Sequence, residues 1–597
     1  MKISALAWSA RSLVCLARSR PGLVCVAGRR VENCAGRRTA LIHHALRRCE
    51  RLPAITTGSV RHAATIASRH HEDSTIYALS TAPGRGAIAI IRISGPACLD
   101  IYRSLCPGKK DPKPRYATLR TLYDPSTPPT PSSVLDSGAL ILYFPAPKTV
   151  TGEDLLELHL HGGTAIVRAV LAAIPRTSPS TSTGPSLPIR YAEPGEFTRR
   201  AFANARLDLT QVEALSDSLS ATTEQQRRLS VRGTTNSLAA RYESWRALLL
   251  AARGELEALI DFSEDQHFDA SVAELLSSVS EQVGVLSGAL RAHRENAVRG
   301  ELLRSGIWLA LLGAPNAGKS SLLNAVVGRE AAIVSREEGT TRDVVEVGVD
   351  FGGFLVRLGD TAGLRRGVEG AEVGLVEREG MRRAKARAEE SDVVVVVVSF
   401  EIGEGGEVGV RLDPEVVETA ARLAAEKDNV LVVINKMDVA ASPSDLETAI
   451  KATQTAIPGL PREKIHPISC KPSSQDPSTT PTSIQTFLRA LIAQFTTLTT
   501  ALTPDSDSSD PSIWQESLGA TERHRLLLET CIACLDDFTA LVSDADDLDG
   551  GDEADIVLAA EHLRGAADAL ARITGRGEAG DVEEVLGVVF EKFCVGK

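Results

Sequence analysis

Residues Trp308–Gly328 read WLALLGAPNAGKSSLLNAVVG, and this stretch decides the fold. Trp308 to Leu312 is an apolar strand candidate, and Leu322 onward has the spacing of a helix. Between them, Gly313-Ala314-Pro315-Asn316-Ala317-Gly318-Lys319-Ser320 has the form GxxxxGK(S/T). A strand, a glycine-rich loop and a helix start are the context this pattern needs to cradle phosphates. The glycines let backbone N–H groups turn inward, and the helix N-terminus adds the positive end of its dipole. Asn316, Ala317, Gly318, Lys319, Ser320 and Ser321 then line the phosphates. Lys319 reaches the β and γ groups, and the Ser320 hydroxyl ligates Mg²⁺.

Three further pieces follow in order. Asp360-Thr361-Ala362-Gly363 comes after a strand over Phe354–Leu358 and has the form DxxG. Asp360 can hold Mg²⁺ through water, and Gly363 can offer its N–H to the γ-phosphate. Thr340 and Thr341, in EEGTTRD, can close over Mg²⁺ when the third phosphate is present. Asn435-Lys436-Met437-Asp438 ends the strand VLVVIN and has the form NKxD. An Asp438 carboxylate accepts from guanine N1–H and the 2-amino group, a pair of donors adenine lacks. Ser469-Cys470-Lys471 supplies a backbone contact to guanine O6. On alternating strands and helices, these pieces together select GTP. Where a Ras-like hydrolase has glutamine after DxxG, this chain has Leu364. Either hydrolysis is slow, or another group orients water. Glu372 is the candidate, with a solvated charge in an acidic segment as the alternative.

Outward from this α/β block, 305–495, the patterns change. Residues 193–304 and 513–597 have helical spacing, so the simplest architecture inserts the α/β domain into an all-α domain. Residues 73–192 alternate apolar and polar residues around Pro83-Gly84-Arg85-Gly86 and read as a small α+β domain. Their Pro/Ser-rich stretches, PSTPPTPSS and TSPSTSTGPS, bury too little to fold and read as surface loops.

Length of 597 residues implies three or four domains, and 43% hydrophobic with 24% charged residues is ordinary for globular protein. Residues 1–70 carry twelve arginines and one lysine against Glu32 and Glu50, a net +11. The chain total of −11 leaves −22 for the remainder. An arginine-rich, acid-poor N-terminus with serine and alanine is a mitochondrial transit composition; a basic nucleic-acid-binding tail is the alternative. No apolar run is long enough to span a bilayer. Cys15, Cys25, Cys34 and Cys49 fall in the removable segment. Cys531 and Cys534 form a CxxC with no second pair, which reads as buried helix thiols instead of a zinc site.

From about Thr75 to the last residue the chain resembles the tRNA-modification GTPases of the MnmE/TrmE type, in their mitochondrial form. The resemblance rests on APGRGAIAIIRISG, TGEDLLELHLHGG, PGEFTRRAFANARLDLTQVEAL, APNAGKSSLLNAVVGREAAIVS, GTTRDV, DTAGLR and the terminal FCVGK. It implies an N-terminal folate-binding, dimer-forming domain and a discontinuous helical domain that carries a G domain. It implies K⁺ as activator, held by Asn316 and the loop Ser335 to Glu338, with Ser335, Glu337 and Thr340 around the ion. Such a cation would neutralise charge developing between the β and γ phosphates. Mg²⁺ falls to Ser320, Thr341 and Asp360. Glu372 takes the place of the family's water-positioning glutamate. Arg92, Glu157, Arg206 and Lys597 match folate contacts, for a 5,10-methylene or 5-formyl tetrahydrofolate. Many relatives have lysine where Arg206 stands, which keeps the charge and changes its geometry.

The family works with an FAD-dependent partner of the MnmG/GidA type. Together they install an aminomethyl-type group on C5 of the wobble uridine, position 34, of tRNA. For this chain that implies mitochondrial tRNA, the mitochondrial matrix and a homodimer. Cys594 fits no prenylation signal, since Gly596-Lys597 follows it. The resemblance gives it a direct role near folate and flavin. Against the −22 balance, local clusters must meet tRNA; Arg199-Arg200 and Arg227-Arg228 with Arg232 are the candidates, with a solvated helix face as the alternative for each. The competing function is a ribosome-assembly GTPase without group transfer, which would need an RNA-binding domain. A membrane-remodelling GTPase would need an anchor.

Overall fold

The computed structural model describes residues 74–177, 188–235, 237–262, 272–327, 332–338, 345–359, 373–402, 408–440, 442–471, 482–503, 511–547, 555–576 and 596. The chain from Thr75 opens a six-stranded sheet of order β3-β4-β5-β2-β1-β6. Its strands are β1 (Thr75–Leu79), β2 (Ile88–Ser94), β3 (Thr118–Tyr123), β4 (Val134–Phe144), β5 (Leu155–His161) and β6 (Ile189–Tyr191). Helices α1 (Cys98–Leu105) and α2 (Thr164–Ala173) cover one face. Strict alternation fixes which face: Ile91, Ile93, Leu156, Leu158 and Ile141 are fully buried among the helices. Burying each such side chain stabilises by about 1.5–3 kcal/mol. Arg92, Glu157, His159 and His161 therefore share the opposite face. The β1–β2 turn folds back on the end of β5. There, Gly86 N–H donates to the Gly162 carbonyl at 3.1 Å, and a side chain on Gly162 would collide with the Gly86 carbonyl.

Five helices follow: α3 (Glu196–Ala203), α4 (Leu209–Ser220), α5 (Glu224–Gly233), α6 (Ser237–Phe262) and α7 (Val272–Ser305). Asp208 starts α4 with a reciprocal cap. Its carboxylate accepts from Gln211 N–H at 2.9 Å, and the Gln211 side chain accepts from Asp208 N–H at 3.0 Å.

The inserted domain holds β7 (Ile307–Leu312), α8 (Lys319–Val327), β8 (Ala332–Glu338), β9 (Val345–Phe351) and β10 (Phe354–Leu358). It continues with α9 (Val373–Glu390), β11 (Val393–Ile402), β12 (Val408–Arg411), α10 (Pro414–Glu426) and β13 (Val430–Asn435). It ends with α11 (Pro443–Ala456), β14 (Ile465–Pro467) and α12 (Thr482–Thr499), which runs past 495. The sheet order is β14-β13-β11-β7-β10-β9-β8, with β12 paired to β11. The valine run of β11 is buried on both faces. Val393, Val395 and Val397 face a core with α8 and α12, while Val394, Val396 and Val398 face α10 and α11.

The chain then returns to the helical domain through α13 (Pro511–Glu516), α14 (Glu522–Asp547) and α15 (Ile556–Thr574). One core joins residues from both sides of the insertion, among them Tyr242, Leu256, Val283, Leu290, Leu535, Phe538 and Leu570. Cys531 is buried in this core, and the half-buried Cys534 packs against it. Both crossing segments meet at the end of α7. The buried Asn296 side chain donates to the Leu502 carbonyl at 2.9 Å and to Ser517 Oγ at 2.8 Å. It also accepts from Leu502 N–H at 2.6 Å. One turn on, a side chain at Gly300 would overlap the Leu518 carbonyl. Helix α5 reaches the inserted domain too: Gln225 N–H donates to Gly353 at the β9–β10 tip at 3.0 Å. Among the described residues no helix is long and apolar enough to cross a membrane.

Candidate functional site

The phosphate loop sits between β7 and α8, at the C-terminal edge of a parallel strand. Asn316 and Gly318 both adopt left-handed backbone angles, φ 64° and 95°. A β-carbon on Gly318 would strike Asn435 Nδ2, so the glycine also makes room for the neighbouring strand. Lys319 is the first residue of α8, and its ammonium donates to the Gly313 and Ala314 carbonyls at 2.6 and 2.9 Å. Burial pushes the Lys319 ammonium below its ordinary pKa. Incoming phosphate oxygens would restore what burial removes.

The guanine-reading edge is built beside it. Asn435 ends β13, and Lys436 turns the chain with φ 62°. Met437 N–H then donates to the Ile468 carbonyl at 2.9 Å, tying NKxD to the end of β14. Asp438 accepts from Ser469 Oγ at 2.8 Å and from Lys471 Nζ at 2.5 Å. Burial pushes this carboxyl up, but the bonds from Lys471 and Ser469 outweigh it and hold it below the usual aspartate range. It is therefore an anion at neutral pH, as recognition of two guanine donors requires. Burial, with Asp438 adding negative charge, pushes the Cys470 thiol up to about 11. That keeps it protonated in the guanine loop.

On the exposed face of the N-terminal sheet, Arg92 and Glu157 are cross-strand partners on β2 and β5. The guanidinium donates twice to Glu157 Oε1, at 3.1 and 3.0 Å, and His159 Nε2 lies 3.3 Å from Oε2. The two side chains keep 25% and 15% of their exposure, so the pair is open to a ligand. Arg206 is bonded instead to the Thr149 carbonyl, at 2.9 Å. The same loop meets the end of β2, where Ser94 Oγ lies 2.7 Å from Thr151 Oγ1. Gly596 docks on the β1 end: Ser80 Oγ donates to its carbonyl at 2.9 Å. Across the ladder Leu79 pairs with Ile91, next to Arg92, so Gly596 lies near the strand that carries Arg92.

Other expected residues fall elsewhere. Ser335 and Glu337 lie on β8, opposite Gly348 and Glu346 of β9. Thr340, Thr341, Asp360, Thr361, Ala362, Gly363, Leu364, Glu372, Cys594 and Lys597 lie outside the described residues. Of the basic clusters, Arg200 needs correction. Arg200 is buried and bonded to Ser74, Glu153 and Glu196, so it braces the sheet against α3 and does not face nucleic acid. Arg199 is exposed but paired with Glu193 at 2.8 Å, and Arg227 and Arg228 both bond Glu224. One feature escaped sequence reasoning. His161 and Asp136 meet at 2.8 Å on the sheet face that carries Glu157. The alternating HLH of β5 was the available signal.

Comparison with known proteins covers nearly all of the chain after residue 74. Residues 75–206 match a family described as GTP-binding protein TrmE N-terminus, and 209–594 match the MnmE helical domain. A Parvibaculum lavamentivorans protein named tRNA modification GTPase MnmE is 40% identical, covering 88% of this chain and 100% of that one. The Schizosaccharomyces pombe protein named tRNA modification GTPase mss1, mitochondrial, is 39% identical over 88% and 96%. A Homo sapiens protein named 5-taurinomethyluridine-tRNA synthase subunit GTPB3, mitochondrial, is 38% identical over 88% and 93%.

Proposed function

The chain belongs to the MnmE family of tRNA-modification GTPases, and from that membership we propose that it hydrolyses GTP to time the modification of wobble uridine 34 in mitochondrial tRNA. The mitochondrial naming of the yeast and human relatives supports the compartment. The arginine-rich first 70 residues support import to the matrix. The observation that carries the reading is that one chain holds two separate polar sites. One is the guanine-nucleotide edge of Lys319, Asn435 and Asp438. The other is the open Arg92–Glu157 pair on a different domain. A GTPase that only assembles ribosomes has no use for the second.

The chemistry of that second site fits a tetrahydrofolate derivative. Arg92, with Arg206 and Lys597, supplies positive charge for a glutamate tail, and Glu157 supplies an acceptor for pterin N–H groups. When bound, the folate would supply the one-carbon unit. Gly596 lies against the β1 end, and Lys597 follows it directly in sequence. Ile88 and Leu119, which remain 63% and 66% exposed, present an apolar surface suited to a second copy of this domain. An MnmG/GidA-type partner would bring FAD.

At the G domain, Ser320, Thr341 and Asp360 would hold Mg²⁺. Asn316, Ser335, Glu337 and Thr340 would hold K⁺, and the left-handed turn at Asn316 is suited to presenting that side chain to the phosphate edge. Glu372 would orient water. K⁺ should then accelerate hydrolysis relative to Na⁺; equal rates would remove the cation from the mechanism. Cys594→Ser should spare hydrolysis and abolish modification. The deciding experiment is mass spectrometry of wobble uridines in mitochondrial tRNA after deletion. Loss of the C5 substituent is expected, and an unchanged profile would favour ribosome assembly.

A further inference from the structure

We propose that His161 is a proton-transfer residue of the one-carbon site, with Asp136 as its positioning residue; the assignment rests on the folate reading above. Glu157, His159 and His161 alternate along β5, so all three face away from the core. Arg92 stands across from Glu157, and Ile88 across from His161. The ion pair and the imidazole thus lie on one open sheet surface, about 13 Å apart at a strand rise of roughly 3.3 Å per residue. That separation is within the span of a folate with its pterin, aryl and glutamate parts.

The imidazole is held the way a working histidine is held. Asp136 is buried on β4, and both its oxygens are committed. Oδ1 accepts from Gly138 N–H at 2.9 Å and lies 2.8 Å from His161 Nδ1, while Oδ2 accepts from His161 N–H at 2.9 Å. Burial pushes this carboxyl up, but the Gly138 and His161 bonds more than offset it and keep it ionised. An ionised carboxylate only accepts, so Nδ1 carries the hydrogen and Nε2 is left to exchange a proton. The His161 side chain nevertheless keeps 60% of its exposure. A histidine needed only to tie two strands would not have to present its second nitrogen to solvent.

Opening a bridged one-carbon unit breaks a carbon–nitrogen bond. The bond's electron pair goes to the departing amine nitrogen. The proton on His161 Nε2 follows it, the imidazole becomes neutral, and the positive charge passes to the carbon unit.

The test uses the full mature chain with its FAD partner. His161→Asn keeps an N–H for Asp136 and removes Nε2. It should retain 5-formyltetrahydrofolate within about threefold of wild type by calorimetry, melt at the wild-type temperature, and modify tRNA at least tenfold more slowly. Asp136→Asn should slow modification while folate binding is retained, and the ring ¹⁵N resonances of His161 should lose the signature of a single Nδ1–H tautomer, since the carboxylate that fixes it is gone. In the wild-type NMR spectrum, the His161 Cε1–H resonance should shift when the folate is added. Undiminished modification by His161→Asn would overturn the assignment alone. Loss of folate binding as complete as in Glu157→Gln would make His161 a binding contact and also overturn it. A wild-type chain that fails to retain the folate would overturn the folate reading itself, and this assignment with it.

Discussion

Asn435 at the end of the guanine-reading strand donates from Nδ2 to the carbonyl of Ala317 in the phosphate loop, at 3.0 Å. The two halves of the nucleotide site are therefore one hydrogen-bonded unit. Its Oδ1 is buried with no hydrogen-bond partner among the described residues. Removing the amide would unpair the Ala317 carbonyl, at a cost of about 1–3 kcal/mol. Asn435→Ala should weaken GTP binding at least tenfold, read by fluorescent-nucleotide titration. Unchanged affinity would show that the loop holds its shape without the strand.

Asp438 should decide which base enters. Asp438→Asn replaces an acceptor with an N–H₂ group that faces the guanine 2-amino group, so donor meets donor. A charge-assisted hydrogen bond is worth about 1.5–3 kcal/mol, and GTP affinity should fall by ten- to a hundredfold or more. Xanthosine triphosphate, with a carbonyl at that position, should bind the variant better than GTP does. The sign of the pH dependence follows from the depressed carboxyl. Its charge persists through the range where an ordinary aspartate begins to take a proton, so wild-type GTP affinity should stay flat from pH 7.5 to 5.

Both of those residues could be read from sequence because they sit where short strands end. The strands Val430–Asn435 and Phe354–Leu358 appear where their apolar runs place them, each bounded by its motif. Short-range chemistry of that kind survives in a single sequence. Pairing register does not: Arg92 and Glu157 are 65 positions apart, and only the antiparallel match of β2 with β5 makes them neighbours. Arg200 misled for the same reason. Its helix looks basic in isolation, yet Glu153, distant in sequence, turns it inward. His161 hid behind ambiguity, since a strand histidine is informative only once a buried carboxylate is found behind it.

The junction at Asn296 should set how firmly the inserted domain is carried. Its side chain makes three hydrogen bonds to the returning segment, all in a buried site. Asn296→Ala leaves the Leu502 peptide and Ser517 short of partners, a loss of about 2–4 kcal/mol on the scale of unsatisfied buried groups. Chemical denaturation should show the helical and G domains separating into two transitions or unfolding at lower denaturant. An unaltered single transition would place the coupling elsewhere, with Arg299 and its bonds to Thr497 and Thr500 as the next candidates.

Acid sensitivity should trace to His293, which lies fully buried in the helical core with neither ring nitrogen hydrogen-bonded among the described residues. Trp245 and Trp514 flank it edge-on, with centroids at 4.6 and 5.2 Å, and Tyr242 lies at 5.9 Å. Burial, aided by the positive charge of Arg241, pushes its pKa down to about 3. The folded chain thus keeps this ring neutral where the unfolded chain, with an ordinary pKa near 6.5, takes up a proton. Its contribution is fully present above about pH 6.5 and is lost as pH falls toward 3, at up to about 1.4 kcal/mol per pH unit. His524 is also buried and depressed in pKa; burial pushes Glu213 up, but the Arg523 guanidinium 2.7 Å away outweighs it and holds this carboxyl low, which adds a loss below about pH 4.3. The melting temperature should therefore fall between pH 7 and 5. His293→Phe removes two unpaired nitrogens and should flatten that fall while leaving the part due to His524. Equal slopes for variant and wild type would mean that His293 finds a partner in solution.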